Sequence, residues 1–305
     1  MDRGWIPPGA PRVPEPVAEL LRRAAVACDA ELHVVMPAAE AEPRRIHEAM
    51  RYSVFSGGKR LRPAIALAVA EALGVSPAVG TTCGASVELI HAFSLVHDDL
   101  PAMDDDDLRR GRPTNHKVYG EAVAILAGDA LSVLAFEVLA TRLGNAPGVA
   151  PALAELARAS GTLGMIGGQI LDLEGEGLPP TLPLVESIHL MKTAALIRAA
   201  AVLPALAGGA PPEAVAAMRA YGTALGLSFQ IVDDILDETS TPEELGKGTG
   251  KDRDRGKMTY PVVVGVEAAR ERAGRLALEA SEAVRPWDRH GALQALAAFV
   301  VERRS

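Results

Sequence analysis

The chain has 305 residues and a formal net charge of −8, from 31 lysines and arginines against 39 aspartates and glutamates. Hydrophobic residues make up 49% and charged residues 23%, a balance that is typical of a globular protein and excludes a largely disordered one. The acidic balance and an aromatic content of only 4% argue against nucleic-acid binding, which needs clustered cations and aromatic rings for base stacking.

Cysteine usage and the spacing of charges bear on the cellular compartment. The two cysteines, Cys28 and Cys83, fit a reducing compartment and exclude a disulfide scaffold or a cysteine-built zinc site. Charges at Glu71, Asp129 and Arg198 interrupt the apolar stretches, so we expect none to reach the ~18 residues of a bilayer-spanning helix. We therefore predict a cytoplasmic protein without a membrane span.

The predicted elements are helices separated by loops rich in glycine and proline. Residues 1–16 contain five prolines and are expected to form a flexible extension, which leaves 17–305 as a single domain. Apolar residues then recur at helical spacing as far as about Val300, and alternating β-branched runs are missing, so we expect no strands. Loop signals lie at 74–77, 144–148, 175–183, 208–212 and 238–257. The sequence therefore predicts an all-α fold that forms one large helical bundle.

The strongest chemical signal is a run of six aspartates between Asp98 and Asp107. Such a run indicates either a cation site or a solvated acidic turn. Asp98 and Asp99 directly follow an apolar helical stretch, so we expect them to lie at the mouth of a buried region. Pro101 is expected to distort the helix so that carboxylates six residues apart can converge.

A second acidic cluster lies within the apolar run FQIVDDILD at 229–237. Asp233 and Asp237 are four residues apart and share one helix face, with Asp234 beside them. Oxygen ligands without histidine or cysteine suit a hard cation such as magnesium, which commonly binds one or two carboxylates together with substrate phosphates. Two such clusters facing each other across a bundle would form a metal-bridged diphosphate site.

Basic residues accompany both acidic clusters. The segment GGKRLRP at 57–63 places three cations before an apolar helix, which predicts either a phosphate site or a solvated basic turn. His91 lies two turns before the first aspartates, where it could be a ligand or a structural residue. Further cations follow the two clusters at Arg109, Arg110, Lys247 and Lys257.

Taken together, these segments resemble the trans-isoprenyl diphosphate synthases, the polyprenyl synthetase family, and within it most closely the bacterial farnesyl diphosphate synthases. The resemblance covers nearly the whole chain after the proline-rich extension. It implies an all-α bundle around a deep central cavity, usually in a homodimer. The motifs occur in the family's order: GGKRLRP at 57–63, ELIHAFSLVHDDLPAMDDDDLRRGRPT at 88–114, AILAGDAL at 124–131, GGQILDL at 167–173, KTAALIRAA at 192–200, FQIVDDILD at 229–237, LGKGTGKD at 245–252 and KMTYP at 257–261.

The resemblance also implies a role for each site residue. Three magnesium ions would hold the allylic diphosphate through two motifs, consisting of Asp98, Asp99 and Asp104 and of Asp233, Asp234 and Asp237. Arg109 would contact the same diphosphate. Isopentenyl diphosphate would be held by Lys59, Arg62, His91 and Arg110. The allylic site would be lined by Lys192, Thr193 and Gln230, which act in catalysis, and by Lys247 and Lys257. The family reaction ionises the allylic diphosphate, and the double bond of isopentenyl diphosphate attacks the resulting carbocation before a proton is lost.

Product length depends on residues just before the first motif, past which the growing tail extends in this family. Phe93 and Ser94 lie about one turn to a turn and a half deeper, and an aromatic floor at Phe93 favours a C15 product. Pro101 and Ala102 resemble the two-residue insertion of short-chain members, which farnesyl and geranylgeranyl synthases share, so C20 is the alternative. The family often has glutamine where this chain has Glu88.

Two other classes of function compete with this interpretation. A catalytically silent subunit would be expected to lose aspartates from one motif, whereas both motifs are complete here. A terpene cyclase or hydrolase would need no second diphosphate site, whereas Lys59, Arg62 and His91 predict one. We also expect the polar, glycine-rich loop from Glu238 to Lys257 to act as a lid.

Overall fold

The computed structural model describes residues 13–144, 146–239 and 258–303, and this part of the chain is a helical bundle, as predicted. The first helix begins at Glu15, one residue before the expected end of the extension. The helices are α1 Glu15–Val35, α2 Arg44–Val54, α3 Leu61–Ala72, α4 Pro77–Asp98, α5 Asn115–Tyr119, α6 Glu121–Arg142, α7 Val149–Ser160, α8 Met165–Gly175, α9 Leu182–Ile188, α10 Ala195–Ala207, α11 Pro212–Thr239, α12 Tyr260–Val264, α13 Val266–Val284 and α14 Ala292–Glu302. A π-helical turn, His189–Ala194, joins α9 to α10.

The helix boundaries follow the predicted loop signals. Gly74 adopts a φ of +67° directly after α3, a left-handed conformation that few other residues tolerate, and Pro77 then begins α4. The loops 176–181 and 208–211 lie where glycine and proline predict them. Of the expected loop at 238–257, residues 240–257 lie outside the described part of the chain.

Helix α4 is the central element of the bundle, since it packs against α3, α6 and α10, while α11 packs against α10 and α13. Close contact between α3 and α4 depends on Gly84, because a Cβ there would lie 2.8 Å from the Cα of Pro63. This contact brings the basic start of α3 beside the middle of α4. It therefore places the segment that contains Arg62 next to His91.

The expectation that there are no strands is wrong in one place. Two short strands, β1 Leu108–Arg109 and β2 Arg112–Pro113, pair in antiparallel register directly after the first aspartate motif. Arg110 and Gly111 form the turn between them with φ values of +53° and +74°, which allow the chain to reverse within two residues. The hairpin fixes the positions of Arg109 and Arg110 relative to α4.

The expectation about apolar stretch length is also wrong. Three helical segments, Pro77–Asp98, Glu121–Arg142 and Leu182–Ala207, are long and apolar enough to cross a bilayer, because Asp129 and Arg198 do not interrupt them. In the first and third segments, 67% of the most apolar 18-residue stretch is buried within the fold, as core helices require. In Glu121–Arg142 this share is 44%, so α6 keeps an exposed apolar face.

Candidate active site

The first aspartate motif converges through a turn after α4. Helix α4 ends at Asp98, three residues before Pro101, so the expected kink within the helix does not form. The backbone N–H of Asp104 instead donates to the backbone carbonyl of Asp98 at 2.8 Å, and that of Asp105 donates to Leu100 at 3.1 Å. This turn brings the backbones of Asp98 and Asp104 together at the end of the helix.

Asp99, the middle member of the first motif, is bound by Arg109. The Nε and Nη2 atoms of Arg109 each lie 2.7 Å from Oδ1 of Asp99, whose side chain is 4% exposed. Burial raises the pKa of the Asp99 carboxyl, and the hydrogen bond from Arg109 opposes this shift. The predicted diphosphate ligand Arg109 is thus paired with an aspartate of the same motif.

A narrow cationic pocket of about 30 Å³ lies between the end of α2, α4 and the hairpin, and His91 and Arg110 are part of its lining. Burial and the neighbouring arginines, Arg62 first among them, lower the pKa of His91 well below its usual range. The imidazole is therefore neutral near pH 7. The Nε atom of Arg62 is buried without a hydrogen-bond partner among the described residues. The pocket and Arg62, which acts on its His91, thus combine concentrated positive charge with an unused donor, which suits an anionic ligand.

The glycine pair before α3 contacts Arg110, which is part of the pocket's lining. A guanidinium N–H of Arg110 donates to the carbonyl of Gly57, and a Cβ at Gly58 would lie 2.9 Å from the same group. Lys59 is exposed on the adjoining loop. Three of the four predicted isopentenyl ligands, Arg62, His91 and Arg110, are therefore brought close together, with Lys59 on the loop beside them.

Sequence reasoning missed the role of Arg60 in this region. Its side chain is buried and donates to Glu88 and to the carbonyl of Val54, both at 2.8 Å. It also pairs with Asp29 on α1 at 2.8 Å. Arg60 is therefore a structural cation, in contrast to its neighbours Lys59 and Arg62.

The second motif approaches Arg62 from α11. The negative charge of Asp233 acts on Arg62, so these two residues are close enough to interact electrostatically. Nη2 of Arg303 lies 3.0 Å from Oδ1 of Asp233, and its guanidinium stacks on the Phe229 ring at 3.9 Å. Arg303 is a second residue that sequence reasoning missed. Asp237, one turn further along α11, is half-buried.

Asp234 is buried, accepts two hydrogen bonds and lies beside His189. Its Oδ1 accepts from Nε2 of Gln230 at 2.9 Å, and its Oδ2 accepts from the backbone N–H of Tyr260 at 2.8 Å. Nε2 of His189 lies 3.2 Å from the same Oδ2. The carboxylate thus joins α11 to the π-helical turn and to the start of α12.

The π-helical turn positions the predicted catalytic pair Lys192 and Thr193. Such turns recur at functional sites, since they displace side chains from regular helical spacing. The hydroxyl of Thr193 donates to Oε1 of Gln230 at 2.6 Å, while Nζ of Lys192 donates to Asp172 at 2.5 Å. Helix α8 approaches closely here, because any Cβ at Gly168 would clash with the backbone N of Lys192. Asp172 had no predicted role, although it lies in the motif GGQILDL.

Comparison with known proteins agrees with this arrangement. Residues 43–287 match the family described as Polyprenyl synthetase. The chain belongs to this family. Geranylgeranyl pyrophosphate synthase 3, chloroplastic, from Arabidopsis thaliana is 48% identical over 291 residues, covering 93% of this chain and 80% of that protein. The large subunit 1 of the heterodimeric geranylgeranyl pyrophosphate synthase, chloroplastic, from the same plant is 47% identical over 274 residues, covering 87% and 74%.

Solved structures show the same relationship. An FPP/GFPP synthase from Zymomonas mobilis has a TM-score of 0.83 and 34% identity, covering 93% of this chain and 98% of that chain. The all-α isoprenoid synthase fold is therefore confirmed for this polyprenyl synthetase. Its activity is that of a short-chain prenyltransferase, and the family implies prenyl diphosphate substrates and magnesium.

The chemistry of the two motifs fits magnesium, because both offer carboxylates without histidine or cysteine. Asp98, Asp104 and Asp237 are half-buried and Asp233 is exposed, so a solvated cation can reach them. Within the described residues, a different trio has ligand-like spacing: Asp105, Asp107 and His116, with ligand atoms within 4.8 Å of one another. This trio contains none of the six predicted ligands, and Lys117 pairs with its Asp107 at 2.6 Å.

Phe93, one of the two predicted product-length residues, lies on the side of α4 that faces α6. Phe93 is buried and contacts His97 edge-to-face at 5.0 Å, and His97 packs directly over Gly128 of α6. The hydroxyl of Ser94 donates to the carbonyl of His91 at 2.9 Å. Two predicted allylic ligands, Lys247 and Lys257, and nearly all of the predicted lid lie outside the described residues.

A larger groove of about 930 Å³ lies between α9, α10, α11 and α13. Its lining includes Leu190, Ala220 and Leu276, and it contains none of the predicted site residues. Its greater volume does not make it the reaction site, because neither aspartate motif borders it and the cations that suit two diphosphates lie elsewhere. The narrow cationic pocket beside the first motif is the better candidate.

Proposed function

We propose that this polyprenyl synthetase condenses isopentenyl diphosphate with an allylic diphosphate and extends the product to geranylgeranyl diphosphate (C20). The observation that carries the two-substrate reaction is the cationic pocket lined by His91 and Arg110, which adjoins the first aspartate motif. Arg62 lies close enough to act on His91, and Asp233 of the second motif acts on Arg62. A second diphosphate site distinguishes a condensing enzyme from a terpene cyclase or hydrolase. Complete aspartate motifs likewise argue against a silent subunit.

In the proposed site, magnesium is held by the accessible aspartates Asp98 and Asp104 of the first motif and Asp233 and Asp237 of the second. When bound, it supplies positive charge that stabilises the departing diphosphate. Asp99 would bind the ion only by exchanging its hydrogen bonds from Arg109, and the same exchange would free Arg109 for the allylic diphosphate.

The chain's own residues have distinct tasks in this proposal. Arg62, Arg110 and the exposed Lys59 neutralise isopentenyl diphosphate, and the neutral His91 adds a hydrogen bond without adding charge. Lys192, held by Asp172, contacts the allylic diphosphate. Polar atoms that are weak nucleophiles, on Thr193 and Gln230, face the developing carbocation without trapping it. Lys247 and Lys257 complete the predicted allylic ligands.

The product length rests on the relatives. The Arabidopsis thaliana protein that matches 93% of this chain is named a geranylgeranyl pyrophosphate synthase, which favours C20 over the C15 product predicted from Phe93. Farnesyl diphosphate remains the second candidate, since the Zymomonas mobilis structure is of an FPP/GFPP synthase and Phe93 is a buried aromatic residue on α4.

The proposal includes a homodimer in a reducing compartment, the cytoplasm. Exposed apolar side chains on two helices offer a surface for a second copy of the chain: Ile125, Leu126 and Val133 on α6 and Ile166 and Ile170 on α8. Both cysteines are free thiols, as expected where disulfides do not form. Two relatives named chloroplastic are plant proteins. Light scattering of the purified chain tests the dimer.

The deciding experiment is product analysis after incubation with isopentenyl diphosphate and dimethylallyl, geranyl or farnesyl diphosphate, with and without magnesium. A magnesium-dependent C20 product from all three allylic substrates supports the proposal. A product that stops at C15 and no elongation of farnesyl diphosphate favour the second candidate. Absence of condensation from folded protein would overturn the synthase proposal and favour the silent subunit or the cyclase.

A further inference from the structure

A continuous chain of hydrogen bonds connects the π-helical turn to the second aspartate motif. The hydroxyl of Thr193 donates to Oε1 of Gln230 at 2.6 Å, and Nε2 of Gln230 donates to Oδ1 of Asp234 at 2.9 Å. Asp234 also accepts from the N–H of Tyr260 and lies 3.2 Å from Nε2 of His189. Both oxygens of the carboxylate are therefore engaged by groups of the protein.

The chemistry of the partners fixes the direction of this chain. An ionised carboxylate can only accept, so the Gln230 amide must present its NH₂ group to Asp234. The carbonyl of Gln230 then faces Thr193 and can only accept as well, so the hydroxyl of Thr193 must donate its proton to it. The oxygen of Thr193 retains lone pairs but has no proton to offer to any other group.

Contacts among α9, the π-helical turn and α12 keep the Asp234 side chain in place. His189 is the first residue of the π-helical turn and is 4% exposed, and its ring stacks on that of Tyr260 with centroids 6.1 Å apart. The hydroxyl of Tyr260 donates to Glu186 at 3.0 Å, which ties the start of α12 to α9. Asp234 is itself 4% exposed, whereas the side chain of its neighbour Asp233 is 51% exposed. The two adjacent aspartates therefore have different surroundings.

We propose that Asp234 is a positioning residue that sets the hydrogen-bond direction of Gln230 and Thr193 and does not ligate magnesium. This inference rests on the proposed prenyltransferase function, in which Thr193 and Gln230 face a carbocation. A fixed donor direction leaves the Thr193 oxygen as an acceptor only, so its dipole presents the negative end to positive charge. Electrostatic preorganisation of this kind stabilises the transition state without reorganisation during the reaction.

The substitution Asp234→Asn reverses the direction of the hydrogen bonds between Thr193, Gln230 and residue 234. The oxygen of the introduced asparagine can still accept from the N–H of Tyr260, so its NH₂ group turns toward Gln230 and forces that amide to rotate. The NH₂ group of Gln230 then donates to Thr193, whose proton is released toward other acceptors. We expect kcat to fall by about 10- to 100-fold with KM for both substrates changed less than about 3-fold, since only the transition state is affected.

The matched control is Asp233→Asn on the adjacent, exposed aspartate. Calorimetric titration with magnesium and inorganic pyrophosphate measures the metal site without turnover. We expect Asp234→Asn to bind within about 3-fold of the unmodified protein and Asp233→Asn to bind at least about 10-fold more weakly, the range seen when groups that support a metal site are changed. If Asp234→Asn weakens binding as much as Asp233→Asn does, Asp234 is a ligand and the inference is wrong.

A double substitution tests the direction of these hydrogen bonds. Gln230→Glu alone places two carboxylates against each other and lowers both the thermal midpoint of the metal-free protein and kcat. When Gln230→Glu is combined with Asp234→Asn, the introduced glutamate accepts from the introduced asparagine and from Thr193, which restores the original direction. We expect the double variant to recover at least about 5-fold in kcat over Asp234→Asn, because coupled residues deviate from additivity. No recovery would overturn the inference.

The two proposals fail in different ways. If the unmodified protein makes no prenyl product, the proposed function is wrong, yet the thermal midpoints still show whether Gln230→Glu and Asp234→Asn compensate each other. If the unmodified protein is active and the double variant shows neither recovered kcat nor a recovered midpoint, only the inference about Asp234 is wrong.

Discussion

Glu88 and Arg60 form an ion pair inside the bundle, with Oε1 of Glu88 2.8 Å from Nη1 of Arg60 and side-chain exposures of 6% and 5%. Glu88 occupies the position at which the family often has glutamine. Its negative charge also acts on Arg62 and on Arg110, so it is a buried acid within a strongly cationic region. The carboxylate thereby holds the loop before α3 against α4 and offsets the repulsion between arginines.

The substitution Glu88→Gln should destabilise the protein by about 1–3 kcal/mol, because Arg60 keeps Asp29 and a hydrogen bond but loses the negative charge of its buried partner. The matched control is Glu71→Gln, whose partner Arg23 is half-exposed. Glu71→Gln should lower the free energy of unfolding by less than about 1 kcal/mol. Urea unfolding of both variants in the same buffer measures the difference. Equal free energies of unfolding would show that the buried pair contributes nothing special.

Stability should depend on pH through His91, whose pKa is lowered by burial and nearby arginines. Below about pH 6.5 the unfolded chain binds a proton at His91 that the folded protein excludes. The free energy of unfolding therefore falls with decreasing pH, by up to about 1.4 kcal/mol per pH unit, until the pH reaches the lowered pKa. His91→Gln should remove this contribution. A difference in stability between the two proteins that stays constant from about pH 8 to 5 would contradict the assignment.

A matched histidine substitution keeps this test specific. His290 is exposed in the turn before α14, far along the chain from the cationic pocket. His290→Gln should follow the stability curve of the unmodified protein, because it leaves His91 in place. Added inorganic pyrophosphate provides a second check, since an anion in the pocket raises the pKa of His91. The decrease in the free energy of unfolding with falling pH should then end at a higher pH.

The aspartate motifs predict a sharp loss of turnover. Asp98→Ala or Asp233→Ala should lower kcat by at least about 100-fold, because each removes a proposed ligand of the cation that stabilises the leaving group. Neither residue is part of the apolar core, so the fold should survive. Glu40→Ala, on an exposed loop residue, serves as the control. Steady-state rates across a magnesium titration measure the effect, and near-normal turnover in either variant would refute the metal assignment.

Lys192 depends on Asp172 for its position. Asp172→Asn keeps a hydrogen-bond acceptor but removes the charge that holds the ammonium group at 2.5 Å. We expect kcat/KM for the allylic substrate to fall by about 10-fold and that for isopentenyl diphosphate to stay within about 2-fold, since a mispositioned group affects its own substrate. Glu174→Gln, two residues further along α8 and exposed, is the control. Equal losses for both substrates would argue against a specific role.

Local signals predicted the helices and most loops, because glycine and proline act within a few residues of their own position. Long-range partners were not predictable: Glu88 lies 28 residues from Arg60, and Arg303 lies 70 residues from Asp233. The π-helical turn at His189–Ala194 was missed because six residues are too short to show a changed period. The convergence of the first motif was expected, yet the chain achieves it by ending α4 before Pro101, since the residue before proline disfavours the helical conformation.

Product length provides the last prediction, through the contact between Phe93 and His97. Phe93→Ala removes a buried ring on α4 and opens space toward α6, so products should become longer by at least one isoprene unit. The cavity should also cost about 3–5 kcal/mol of stability, so products are compared at a temperature where the variant stays folded. Ser94→Ala is the control, because it removes only a hydroxyl bound to the His91 carbonyl. Chromatography of the dephosphorylated products measures the length, and an unchanged distribution in Phe93→Ala would show that another residue ends elongation.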